Sequence, residues 1–137
     1  VVIGGGMNHR FGLYDMIMLK DNHIDFAGGV RNAIEQSKAY VQEMDKPVEI
    51  EVEIRTKSEL IEAVSTGGIK RILLDNFTPD ELRDLVPLIP DSIESEASGG
   101  ITESTILDYA KTGVDFISMG ALTHSVKSLD LSLKAYF

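Results

Sequence analysis

The chain has 137 residues, 43% hydrophobic and 26% charged, which allows one globular domain with a real core rather than two. Its formal charge of −9 argues against nucleic acid as a partner, because neutralising phosphates needs an excess of Lys and Arg, whereas an anionic small molecule can still be held by a local cationic pocket. With no cysteine, disulfides, thiolate catalysis and Cys-ligated metals are excluded; with no membrane-length apolar run and no signal-peptide pattern, the chain reads as soluble, without a membrane partner, and is expected in the cytoplasm.

The chain opens on "VVIGGGMNHR" without an initiator Met. Val1-Val2-Ile3 reads as the end of a strand and the chain as a piece of a longer protein. The run "MIML" at 16–19 predicts a first strand, and it gives way at once to the polar stretch "LKDNH", read as a loop at the strand end. Val30, Ala33, Ile34, Val41 and Met44 then recur at helical spacing. "VEIEVEI" at 48–54 alternates as a strand does, and Leu60, Ile61, Ala63 and Val64 follow as a helix with Thr56 as its N-cap and the glycines of "STGG" at its end. "RILLD" at 71–75 is the third strand. Thr78, Pro79 and Glu81 form a capping box ahead of Leu82, Leu85 and Val86. "IESEA" at 93–97 reads as a fourth strand, Ile106, Leu107 and Ala110 as a helix with Thr102, Thr105 and Glu103 as its cap, and "DFISM" at 115–119 as a fifth strand.

Strands alternating with helices imply parallel pairing through crossovers, hence an α/β sheet or a β/α barrel. The residues at or near the strand ends are Lys20, Glu53, Asp75, Ser98 and Gly120, spaced by 33, 22, 23 and 22 residues. In a barrel those positions meet at the C-terminal rim, where strand-end loops build active sites. "LKDNH" is then one of several loops facing a shared pocket.

Lys20 joins His9 and Arg10 as three possible cations suited to carboxylates or phosphates, although spacing alone fits a solvated turn as well. Glu49, Glu51 and Glu53 share one face of their strand. Three carboxylates against a helix layer would be prohibitively costly, so they are expected to face the barrel interior or its mouth, where partners or water exist. Glu53, nearest the rim, is the functional choice, and Glu49 and Glu51 are expected to pair with Lys or Arg. Asp75 closes a buried strand, and with Glu53 it can hold Mg²⁺ through water or accept bonds from sugar hydroxyls. "EASGGIT" and "SMGALTHS" are paired small-residue loops, each leading toward a helix start, as in barrel phosphate sites. His23 and His124 lack metal-ligand spacing, and His124 fits a helix start or the phosphate loop.

"GGGMNHRFGLYDMIMLKDNH", "EIEVE", "ILLDNF", "EASGGI" and "ISMGALTHS", in this order, resemble the C-terminal half of the quinolinate phosphoribosyltransferase family over essentially all 137 residues. The resemblance implies an incomplete, about six-stranded TIM-like β/α barrel that follows an N-terminal α/β sandwich domain, absent here. It also implies a Mg²⁺-dependent reaction of quinolinate with phosphoribosyl pyrophosphate, giving nicotinate mononucleotide, pyrophosphate and CO2 in NAD biosynthesis. By motif match, His9, Arg10 and Lys20 contact the quinolinate carboxylates; Glu53 and Asp75 hold the ribose hydroxyls and magnesium; Ser98, Gly99, Gly100, Gly120 and Ala121 cradle the 5′-phosphate. Lys20, Glu53 and Asp75 are the catalytic candidates. In the family a homodimer completes the site through the partner's N-terminal domain, so this chain is expected to be inactive alone, with its tail from about 126 to 137 packed on that domain. Two alternatives stay open: a related phosphoribosyltransferase for another base, and a barrel module that binds phosphate ligands without chemistry.

Overall fold

A computed structural model describes residues 1–12, 14–125 and 127–136. Five strands form one parallel sheet in sequence order: β1 (Met16–Leu19), β2 (Glu49–Ile54), β3 (Arg71–Asp75), β4 (Glu94–Ser98) and β5 (Phe116–Ile117). Between them run α1 (Asp21–Ala27), α2 (Val30–Gln42), α3 (Lys57–Thr66), α4 (Pro79–Leu85) and α5 (Ile106–Ala110), and α6 (Ala121–His124) follows β5. Every ladder is parallel, so each strand must be reached by a crossover, and the helices supply it.

The period of two in β2 decides how the layers stack. Ile50, Val52 and Ile54 point to one side, where Ile72 and Leu74 of β3 and Ala97 of β4 join them, and Ile24, Val30, Ile34, Leu60, Ala63, Leu82 and Leu85 of the helices close over them. Each such aliphatic side chain removed from water contributes about 1.5–3 kcal/mol, enough to fix the register of the whole ladder. The opposite face carries Glu51, Arg71, Glu94 and Glu96, because Glu51 pairs with Arg71 and Arg71 with Glu94 in the register.

Local signals act as expected at two helix starts. Thr56 accepts from the Glu59 N–H, and Thr78 and Glu81 form the reciprocal box with Pro79 at the first helical position. Gly67 ends α3, its N–H bonded to the Ala63 carbonyl.

Several expectations are corrected. "LKDNH" is no open loop: Asp21, Asn22 and His23 form the first turn of α1, with Lys20 as N-cap. Val2–Gly4 make a 3₁₀ turn rather than a strand end. β4 runs one residue later than "IESEA", and β5 shrinks to Phe116–Ile117. α5 starts at Ile106 with Thr105, not Thr102, as N-cap and no side-chain cap bond. The expected tail reaches Val126 and Phe137, which lie outside the described residues; residues 127–136 are exposed and belong to no helix or strand. No described helix is long and apolar enough to cross a membrane.

Candidate active site

Parallel strands all end on one side, so β1, β2, β3 and β4 deliver Lys20, Glu53, Asp75 and Ser98 to one edge of the sheet. Lys20 adopts an extended conformation as α1 begins, and its N–H donates to His23 Nδ1 at 3.0 Å, so His23 caps the helix. Burial pushes the Glu53 carboxyl up from its ordinary value; the charges of Asp75 and Asp21 add to this, and Lys20 opposes them. Lys20, Asp21, Glu53 and Asp75 therefore share one electrostatic neighbourhood, with more carboxylates than cations. An added hard cation with oxygen ligands would relieve that repulsion, so Glu53 and Asp75 suit Mg²⁺.

Asp75 and Ser98 face each other across the β3–β4 ladder. Asn76 follows with φ of 60° and donates its backbone N–H to the Ser98 carbonyl at 2.8 Å, while its side-chain amide donates to Asp75. Gly99 is required beside it: φ is +101°, and a Cβ there would run into the Asn76 side chain and lie 2.8 Å from its backbone N. The "SGG" loop, however, does not enter a helix directly, since Ile101–Thr105 intervene before α5. Gly120 is the N-cap of α6, only four residues long, and the ring of His124 folds back over it. The helix start expected after "SGG" is therefore displaced, and the one expected after the second loop is present but only one short turn long. Ser98, Gly99 and Gly100 stay together as a backbone turn, and Ala121 opens α6.

Farther down the polar face lies a second group. His9 Nε2 is 3.1 Å from one oxygen of Glu51 and 3.5 Å from Glu96. Arg71 donates to Glu96 at 2.9 Å and to Glu94 at 2.8 Å, and its guanidinium lies 4.2 Å from the centre of the Phe116 ring. Ser118 donates to Glu96 as well. Burial raises the Glu51 pKa, the charge of Glu96 raises it further, and His9 and Arg71 pull it back. The expected Lys or Arg partners are thus misassigned: Glu51 is held by His9, Glu49 is exposed, and the Arg partner goes to Glu94 and Glu96. His9, Glu51 and Glu96 offer three ligand-type atoms within 4.8 Å of one another, yet Arg71 already supplies positive charge there.

A cavity of about 430 Å³ is lined by His9, Arg71, Glu96, Phe116, Ser118 and Gly120 among others. Lys20, Glu53, Asp75 and Ser98 stand at the strand ends but do not line it. Arg10 turns away, its guanidinium donating to the Met16 carbonyl at 3.2 Å. Arg71, Glu96 and Ser118 were not singled out from the sequence. The alternation in "RILLD" and "ESEAS" carried the signal, since it sets Arg71 and Glu96 on the same face as Glu51.

Residues 1–134 match the family described as "Quinolinate phosphoribosyl transferase, C-terminal domain". The chain belongs to that family. Among relatives of this quinolinate phosphoribosyl transferase family member, a protein of Bacillus subtilis (strain 168) named "Probable nicotinate-nucleotide pyrophosphorylase [carboxylating]" is 49% identical over 95% of this chain and 44% of its own length. An Arabidopsis thaliana protein named "Nicotinate-nucleotide pyrophosphorylase [carboxylating], chloroplastic" is 47% identical over 98% of this chain and 42% of its own length. In three dimensions the family member superposes on NadC from Streptococcus pyogenes with a TM-score of 0.88 at 41% identity, covering 98% of this chain and 46% of that one. The nicotinate-nucleotide pyrophosphorylase from Francisella tularensis gives 0.85 at 40% identity, covering 94% and 44%. The chain thus spans less than half the length of the relatives it matches.

Proposed function

We propose that this chain is the barrel domain of an enzyme that transfers the phosphoribosyl group of phosphoribosyl pyrophosphate to quinolinate, releasing pyrophosphate and CO2 and forming nicotinate mononucleotide for NAD biosynthesis. The observation that carries the reading is the family match over residues 1–134, combined with Lys20, Glu53 and Asp75 in one neighbourhood at adjoining strand ends. An N-terminal domain outside this chain, and a second subunit in a homodimer, complete the barrel's site; the matched relatives, more than twice as long as their aligned part, support the further domain.

Each residue type has a task in the reaction. The C1′–O bond to the diphosphate breaks and a bond from the pyridine nitrogen to C1′ forms, so positive charge develops at the anomeric carbon. Glu53 and Asp75 are the carboxylates that stabilise that charge and take hydrogen bonds from the ribose hydroxyls. When bound between these two residues, Mg²⁺ supplies neutralisation of the diphosphate charge. Lys20 and His9 are donors for the two substrate carboxylates, Arg10 joins them once its guanidinium leaves the Met16 carbonyl, and the backbone N–H groups of Ser98, Gly99, Gly100, Gly120 and Ala121 are donors for the 5′-phosphate. Holding the ring nitrogen in line supplies much of the acceleration. On loss of CO2 the electron pair stays on the adjacent ring carbon, stabilised by the positive ring nitrogen until a proton replaces the lost group.

The test joins this chain to the N-terminal part of the Bacillus subtilis relative. The chimera is expected to turn over quinolinate and not nicotinate, and the chain alone to turn over neither. A chimera that folds and prefers nicotinate, or a lone chain with full turnover, contradicts the proposal.

A further inference from the structure

His9 sits on a segment with no helix or strand, between the turn at Val2–Gly4 and β1, and yet two buried carboxylates from different strands converge on one of its nitrogens. A loop imidazole left to itself is free to flip its ring and exchange its tautomer. Glu51 is 0% exposed and Glu96 1%, and they are rooted in β2 and β4 on either side of β3. Glu96 is further fixed by Arg71 on one oxygen and Ser118 on the other. His9 Nε2 meets Glu51 through Oε1 at 3.3 Å and lies 3.1 Å from Oε2, which among the described residues has no other partner, and His9 Nδ1 has none either.

We propose that Glu51 and Glu96 are positioning residues for His9: they hold its Nε2–H between them and leave Nδ1 as the nitrogen that meets a carboxylate of the substrate.

An ionised carboxylate only accepts hydrogen bonds, so a nitrogen facing two of them must carry the proton. That fixes which edge of the ring turns to the cavity His9 lines. A pyridine dicarboxylate offers only acceptors, so Nδ1 meets it as a donor, and the bound ring carries both protons. Two buried carboxylates aimed at one imidazole are a poor device for stability, because an apolar pair of the same volume would serve better. A resident metal is a worse account, since the Arg71 guanidinium lies against Glu96. The substrate half of this inference rests on the proposed function; the tautomer half does not.

Long-range ¹H–¹⁵N spectra of the whole chain with labelled histidine, at alkaline pH and assigned with His9→Ala, read which nitrogen keeps its proton. The wild type is expected to show His9 with hydrogen on Nε2. In Glu51→Gln/Glu96→Gln, amides that both donate and accept no longer dictate the tautomer, and both forms should appear. The single variants are made too, and any that folds gives the same comparison. Calorimetric titration of the chimera should show quinolinate affinity falling roughly tenfold or more in the double variant, with phosphoribosyl pyrophosphate affinity unchanged, a split that a general structural defect would not produce. A wild-type Nδ1–H tautomer, or an unaltered tautomer in the double variant, overturns the proposal. A wild-type chimera that folds yet binds no quinolinate counts against the proposed function, while the spectra still decide the positioning.

Discussion

Val52 and Glu51 are neighbours on β2 and equally inaccessible, both at 0%, but they are inaccessible for opposite reasons. Val52 faces the helices and is covered by aliphatic groups that gain from excluding water. Glu51 faces the other way and is covered by His9 and by a second carboxylate, an arrangement whose cost shows in a pKa pushed up by burial and then by the Glu96 charge. One face of the sheet therefore supplies stability, and the other holds charged groups in places they would not choose. Perturbed groups of this kind cluster at functional sites, in keeping with the role proposed for His9.

The two faces should respond differently to substitution. Leu74→Ala removes a fully buried side chain from the helix-covered face and leaves a cavity in the middle of the core cluster. A loss of about 4 kcal/mol is expected, read as a fall of roughly 10 °C or more in Tm that is the same at every pH. A loss below about 1 kcal/mol would mean that this face is not the main source of stability. Arg71→Met is the counterpart on the polar face. It keeps an apolar stem against Phe116 but strips Glu94 and Glu96 of their guanidinium. About 3 kcal/mol should be lost at neutral pH, because an uncompensated buried charge is left behind. Unlike the first, this deficit should shrink as acid protonates those carboxylates. Parallel Tm curves for the two variants across pH would erase the distinction.

The helix-covered face could be read from the chain because its pattern is local. "EIEVEI" alternates within six residues, and the Thr78–Pro79–Glu81 box acts within four, so both appear in the structure where spacing puts them. The grouping of Lys20, Glu53 and Asp75 followed from parallel strands ending together. What sequence could not yield were contacts between distant positions: His9 meets Glu51 across 42 residues and Arg71 meets Glu96 across 25. Periodicity places Glu51 and Arg71 on one face, but the choice of partner is made by side-chain reach and by charge balance across three strands. Short elements were the other gap. α1 has seven residues and takes Lys20 as its cap, a residue type with no capping preference, so its first turn looked like a loop. α6 has four, too few for any periodic pattern to show.

Glu94 marks where the two regimes meet, and replacing it gives the smallest effect. Burial pushes its carboxyl up, but the bonds from Lys70 at 2.9 Å and Arg71 at 2.8 Å outweigh that and hold it below its ordinary 4.5. A carboxylate whose pKa is lower in the folded state stabilises the protein above 4.5, and that contribution fades as pH falls through the lowered value. Glu94→Gln should therefore cost less than about 1 kcal/mol at neutral pH, as partly exposed pairs do, since Arg71 keeps Glu96 when Glu94 is gone. The Tm difference from wild type should close on going below the ordinary carboxyl range. If it instead stays constant into acid, the stabilisation comes from packing of the Glu94 stem, and the polar face holds its outer residues by the same means as the apolar one.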